Sequence, residues 1–282
     1  MPELPEVEIV RRGLERVTLR QPIQSVQVLL PRTVATPLDP RQFELALGGC
    51  QFIRWQRFGK YLLAELADGS GQPAGSLGVH LRMTGKMLWM PTVSAISVHT
   101  RVRFTLAENM DLRFEDQRTF GQMWWVAPDQ APREVIAGLQ RLGPEPFSDS
   151  FTAAYLRERL RHSRRPIKNA LLDQRLVAGV GNIYADEALH LSGIRPLTAS
   201  GRLGPVRLQR LRDAVRDVLQ ASIEAGGTTF SDYRDIYGTN GNYGGVAWVY
   251  DRAGQPCRRC GAAIQRLKLA GRSAHYCPKC QR

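Results

Sequence analysis

The sequence predicts an α+β chain: an N-terminal helix with a β-sandwich domain, then a largely helical domain, then a C-terminal four-cysteine finger. Three observations carry this reading. Apolar residues recur at helical spacing over 5–17, and short alternating or aromatic-rich runs broken by Gly, Pro and Asp fill the stretch to about 128. Helical patterning returns after 150 and gives way to Cys-x2-Cys, a 16-residue gap and Cys-x2-Cys.

The elements follow in order. Pro5 suits the first helical position, Glu6 and Glu8 suit the positive end of the dipole, and Val7, Val10, Leu14 and Val17 share one face. Strands are expected over 26–30, 52–55, 61–66, 102–106, 112–114 and 123–126. Residues 128–150, rich in Pro, Gly and Ser, read as a connecting segment with one short helix. Helices are expected over 151–163, 167–177, 182–192 and 205–225. The resulting domains are 1–130, a linker over 131–150, 151–246, and a finger over 247–282. Residues 226–245 hold six glycines with Tyr, Thr and Asn, the composition of a mobile loop that suits either a lid or a plain surface excursion.

Composition narrows the function classes. The 282 residues carry 39 Lys plus Arg against 26 Asp plus Glu, a net charge of +13, while 43% hydrophobic residues leave ample material for a core. Such a balance favours a polyanionic partner. No apolar run approaches the ~18 to 20 residues of a membrane span, and the acidic N-terminus does not read as a secretory leader. A cytoplasmic protein that engages no membrane is expected.

Residues 247–282 hold eight cations and one acid alongside four of the five cysteines. Cys257, Cys260, Cys277 and Cys280 can deliver two thiolate pairs across a hairpin to one tetrahedral Zn2+, filling its shell, so the ion is structural. Disulfides fit an intracellular chain poorly. With four thiolates on one Zn2+ the chain remains strongly basic, at about +11. Cys50 reads as a small buried side chain. Before the helix expected at 182, Gly179-Val180-Gly181-Asn182 offers backbone N–H groups to a phosphate, with Lys168 and a run of arginines from Arg157 to Arg165 upstream.

The N-terminus carries a different chemistry. Initiator Met before Pro is normally excised, which leaves Pro2 with a secondary amine whose pKa lies well below that of lysine. Such an amine can attack an aldehyde-level carbon, and the resulting iminium acidifies the neighbouring carbon and permits elimination. Glu3 and Glu6 stand beside it as acid/base candidates, while an ordinary helix start explains the same residues.

The motifs Pro2-Glu3-Leu4-Pro5-Glu6-Val7-Glu8, Phe58-Gly59-Lys60-Tyr61-Leu62, His80-Leu81-Arg82-Met83-Thr84-Gly85, Asp116-Gln117-Arg118-Thr119-Phe120-Gly121, Leu142-Gly143-Pro144-Glu145-Pro146 and Gly179-Val180-Gly181-Asn182-Ile183-Tyr184 precede the finger. In this order they resemble the formamidopyrimidine-DNA glycosylase family over nearly the whole chain. The resemblance implies a base-excision repair enzyme with two activities. A glycosylase, which is a hydrolase, removes 8-oxoguanine and formamidopyrimidines from duplex DNA, and a lyase cuts the abasic site by β,δ-elimination through a Schiff base. It implies a helix-two-turns-helix domain, one structural Zn2+ on Cys257, Cys260, Cys277 and Cys280, damaged double-stranded DNA as partner, and a monomer. Pro2 would be the nucleophile, with Glu3 the proton donor for ring opening, Lys60 for β-elimination and Arg272 for δ-elimination. His99, Arg118, Lys168, Asn182 and Arg272 would contact DNA, and Glu187 would support the Asn182 site. Met83, Arg118 and Phe120 would fill the gap left by an extruded base, although Met83 and Phe120 also read as core residues. Residues 226–245 would close on that base.

Thr119 and Arg82 depart from the commonest family pattern, which bears on opposite-base preference. Leu4 separates the chain from endonuclease VIII, which typically has Gly there. A zinc-finger DNA-binding protein without catalysis would retain the charge and the finger but leave the N-terminus unexplained, and Lys60 is the rival Schiff-base donor.

Overall fold

Helix α1, Leu4–Thr18, starts with Pro5 in its first turn, where no intrahelical donor is lost, and buries Leu4, Val7, Val10 and Leu14 along one stripe. The computed structural model describes residues 1–228 and 233–282, which divide into two compact units, Met1–Gln140 with Gly226–Asn242, and Arg141–Ala225 with Tyr243–Arg282.

In the first unit the strands are β1 (Ile23–Val28), β2 (Val34–Thr36), β3 (Gln51–Phe58), β4 (Tyr61–Ala67), β5 (Pro73–His80), β6 (Lys86–Pro91), β7 (Thr100–Leu106), β8 (Met110–Glu115) and β9 (Gln122–Val126). They form two sheets, in the orders β2-β9-β5-β4-β3 and β1-β7-β8-β6, antiparallel apart from β2 beside β9. Their inner faces bury Phe52, Trp55, Leu62, Leu77, Met87, Phe104 and Phe114 against the stripe of α1. Each such side chain contributes roughly 1.5–3 kcal/mol. Tyr233 and Ile236 join the same core, and the Trp89 N–H donates to the Ile236 carbonyl at 2.8 Å. Gly13 makes this possible, since a Cβ there would lie 2.8 Å from the Ile236 side chain.

Four elements of this unit escape the sequence pattern, the first being β2, a strand of only three residues. β5 is interrupted by Gly75 and Gly78, whose missing side chains admit the Val126 carbonyl and the Ile136 side chain. β6 is short and mostly half-buried, with no clean alternation. Helix α2, Pro40–Leu47, carries the ordinary start signals, Asp39 accepting from the Arg41 N–H and Pro40 at the first position. In the connecting segment two short helices, α3 (Pro132–Val135) and α4 (Ala137–Gln140), stand where one was expected.

The second unit is built on α5 (Ala153–Leu160), α6 (Ile167–Leu171), α7 (Asn182–Leu191) and α8 (Pro205–Glu224). α6 stops well short of the expected residue 177. Asp173 accepts the Arg175 N–H, and the Gln174 amide bonds Gly179 N–H and the Val180 carbonyl, so side chains take backbone partners that a continuing helix would need. Arg216 on α8 donates to the carbonyls of Pro146, Ser148 and Phe151 and holds that stretch in place. The finger is a hairpin of β10 (Gln265–Leu269) and β11 (Arg272–Tyr276), turned by Ala270 at φ 48° and Gly271 at φ 79°, the paired positive φ of a type I′ turn. Among the described residues no helix is long and apolar enough to cross a membrane.

Candidate functional site

The chain start is built into α1. Pro2, Glu3 and Glu6 are buried, and a capping box joins the two acids. The Glu3 carboxylate accepts from the Glu6 backbone, and Glu6 Oε2 accepts the Glu3 N–H at 2.9 Å. Glu6 Oε1 also accepts the Thr228 N–H at 2.9 Å, tying the segment after Ala225 to the same corner. Burial and the Glu6 charge push the Tyr233 hydroxyl far above the usual tyrosine range.

Met1 lines a cavity of about 500 Å3 with Arg32, Arg82, Met83, Thr119, Phe120 and Gln122. The structure therefore brings the N-terminus together with two of the three predicted gap-filling residues. Phe120 is 52% exposed, with the Arg118 guanidinium 5.0 Å above its ring, so a core role for Phe120 is excluded. Met83 is half-buried.

Two residues without a role in the sequence reading staple these loops. The Thr84 hydroxyl donates to Asp116 Oδ1 and accepts the Arg118 N–H, while Asp116 Oδ2 accepts the Gly121 N–H at 2.7 Å. The loop residues Arg82 and Thr119 take φ of 54° and 58°. The Arg32 guanidinium donates to the Thr119 hydroxyl, and Arg82 donates to Gln122 Oε1. His99 joins the same frame through its carbonyl, which accepts the Asp116 N–H at 2.9 Å.

Lys60 occupies the two-residue turn between β3 and β4, after Gly59 at φ 56°, and is buried. The next residue, Tyr61, pairs with His80 across β4 and β5, the two rings meeting edge to face at 4.4 Å. Burial, then the charges of Arg82 and Lys60, bring the His80 pKa down to about 3, so the ring is neutral and its Nδ1 accepts the Arg82 N–H.

In the second unit Lys168 is fully buried, its ammonium 2.6 Å from Asp186 Oδ1 and donating to the Ser273 carbonyl. Asn182, at the start of α7, donates to the Ser273 hydroxyl at 3.4 Å. Asp186 Oδ2 accepts the His275 N–H at 2.9 Å. Lys168 and Asn182 therefore meet the finger strand next to the exposed Arg272. Asp186 and His275, which complete this cluster, left no signal in the sequence beyond the helical spacing of Asp186 from Asn182. Glu187, expected to support Asn182, instead accepts the N–H groups of Trp248, Val249 and Tyr250 at 2.7 to 2.9 Å. Burial raises its carboxyl pKa despite these donors.

The four finger sulfurs all lie within 4.8 Å of one another, with Cys260 and Cys277 at 3.4 Å and Cys257 and Cys280 at 3.9 Å. Four sulfurs about 2.3 Å from a tetrahedral ion stand about 3.8 Å apart, so the set fits zinc. The Arg259 and Cys280 N–H groups donate to Cys257 and Cys277 sulfur, as knuckles around a metal require.

Residues 1–123 match the family described as Formamidopyrimidine-DNA glycosylase N-terminal domain, 142–234 the Formamidopyrimidine-DNA glycosylase H2TH domain, and 254–282 the zinc finger found in FPG and IleRS. The chain belongs to the formamidopyrimidine-DNA glycosylase family. Formamidopyrimidine-DNA glycosylases of Acaryochloris marina and of a Synechococcus species are each 59% identical over 281 residues, covering 100% of this chain and 99% of theirs. The Lactococcus lactis glycosylase in complex with abasic-site-containing DNA superposes with a TM-score of 0.90 at 37% identity over 99% of both chains. The MutM (Fpg) protein of Thermus thermophilus gives 0.87 at 38% identity, over 99% of this chain and 98% of that one. Of the segment expected to close on a base, 226–245, residues 229–232 lie outside the described residues.

Proposed function

We propose that this chain is a bifunctional DNA glycosylase and abasic-site lyase that excises oxidised purines, 8-oxoguanine and formamidopyrimidines, from duplex DNA. Beyond family membership, the observation that carries the reading is the meeting of the chain start with Met83 and Phe120 at one cavity. With Met1 removed, the Pro2 nitrogen bonds to the sugar C1′, the glycosidic bond breaks, and the base leaves with a proton. Glu3, buried beside it, donates a proton to the ring oxygen as the sugar opens to an iminium. Loss of a C2′ proton then expels the 3′ phosphate and a second elimination expels the 5′ phosphate, with Lys60 and Arg272 as the respective proton donors.

Phe120, exposed and held under Arg118, and Met83 fill the space the base vacates, and Arg118 faces the orphaned partner. His99, Asn182 and Arg272 hold backbone phosphates, with buried Lys168 serving the same DNA site from beneath through Asp186 and Ser273, and the release of counterions makes binding fall steeply with salt. Cys257, Cys260, Cys277 and Cys280 hold one structural zinc ion, which when bound fixes the β10–β11 hairpin and so the position of Arg272. The protein works as a cytoplasmic monomer.

Borohydride trapping tests this reading. An untagged preparation should form a covalent adduct with a duplex carrying 8-oxoguanine opposite C, through the Pro2 peptide. Pro2→Gly or an N-terminal extension should lower trapping and strand cleavage by several orders of magnitude, as removal of a covalent nucleophile does elsewhere. An adduct mapped to Lys60, or an untagged protein that still begins at Met1 and cleaves, overturns it.

A further inference from the structure

A cavity of about 780 Å3 belongs to neither site above. It lies within the second unit between α5, residues 200–204 and the first turns of α8. Its floor is aliphatic, from Leu160, Leu203 and Leu208, all buried from bulk solvent. Its rim carries Arg157, Arg161 and Arg202, each exposed and without a side-chain hydrogen bond or ion pair among the described residues, against one acid, Glu158.

The basin is rigid. Residues 199–201 are clamped to 163–166 by the Ser200–Ser163 hydroxyl bond at 2.8 Å and by the Ser200 and Gly201 N–H groups, which donate to the Arg165 and Ser163 carbonyls at 2.9 Å. Gly201 is required for that approach, since a Cβ there would stand 2.8 Å from the Ser163 carbonyl oxygen. Gly204, also lining the basin, has open space where its Cβ would be.

We infer that this basin is a docking surface for an acidic peptide segment of another protein, one that carries a large apolar side chain between carboxylates. Three unpartnered guanidiniums call for carboxylates in fork geometry, and the leucine floor calls for an apolar anchor of the size that such a volume holds. A nucleic acid fits less well. No lining residue is aromatic, so bases have nothing to stack on, and a duplex backbone would engage the arginines and leave the floor empty. The inference stands on this unit alone and is independent of the repair chemistry.

The probe is a fluorescein-labelled hexapeptide in which Leu-Trp is flanked by two aspartates on each side, followed by anisotropy against the full chain. It should bind, and bind more weakly as salt rises. Reversing all three cations, Arg157→Glu with Arg161→Glu and Arg202→Glu, should weaken it about 10- to 100-fold, the product of three surface ion pairs. Gly204→Trp, which plugs the basin and removes no charge, should weaken it about fivefold or more, and melting temperatures establish that both variants are folded. The proposal fails if the peptide does not bind or if folded variants bind it normally. It also fails if a Ser-Gly version of equal charge binds as tightly, which would make the surface a generic basic face. A short oligothymidylate that binds more tightly than the peptide and is lost in the same variants would make it a nucleic-acid contact and overturn the proposal.

Discussion

Phe120 and Lys168 are both proposed to act on DNA, yet the chain treats them in opposite ways. In the first unit Phe120 is 52% exposed on a loop whose neighbour Thr119 sits at positive φ, and its support comes from Thr84 and Asp116 behind it. In the second, Lys168 is fully buried, ion-paired to Asp186 and bonded to the backbone of the finger. The wedge is an exposed side chain on a stapled loop, which leaves it able to enter a base stack. The phosphate-site charge is fixed from beneath, which positions Asn182 and the strand carrying Arg272. Activity and stability should therefore separate at the exposed wedge side chain and move together at the buried pair.

The largest effect is expected from the metal. Stripping zinc with a chelator, or Cys277→Ser, removes a binding free energy that for such fingers is about 10–16 kcal/mol and is spent on folding. Limited proteolysis should then cut first within residues 247–282, and duplex affinity should collapse. A finger that stays protected without metal would detach stability from the cysteines. Next comes Asp186→Ala, which leaves the Lys168 ammonium buried without its carboxylate and should cost about 3–5 kcal/mol in urea unfolding. The double replacement Lys168→Met with Asp186→Leu should cost less, because no charge is stranded; equal losses would show that the pair acts through packing alone.

The finger was legible in the sequence because it is a local pattern, four cysteines at metal spacing. α1 and most strands were legible for the same reason, their periodicity being contained in one stretch. What was not legible depends on distant partners. Thr84 and Asp116 lie in family-like motifs, but nothing in the chain says that a hydroxyl at 84 bridges a carboxylate at 116 and an N–H at 118. Asp186 and Glu187 are adjacent acids on one helix, and only the fold sends one to Lys168 and the other to the backbone of residues 248–250. β5 was hidden by its own glycines, which the neighbouring chain needs and which break the apolar run.

The smaller effects bear on the wedge. Thr84→Val removes the hydroxyl that joins Asp116 to the Arg118 N–H, leaving buried groups unsatisfied at about 1–3 kcal/mol, and should slow single-turnover cleavage through misplacement of Arg118 and Phe120. Phe120→Ala is the sharpest case. Because the ring is half exposed, its loss should change stability by no more than about 0.5 kcal/mol, as for surface substitutions elsewhere. An extruded base costs a few kcal/mol to hold out of the stack, and a side chain that fills the vacancy returns part of it. Cleavage of an 8-oxoguanine duplex should therefore fall about 10- to 100-fold, while trapping on a preformed abasic site, where no base must be displaced, should fall far less. A variant that is destabilised but cleaves normally would make Phe120 a packing residue and erase the contrast with Lys168. Equal losses on both substrates would place its role in duplex binding, not in base extrusion.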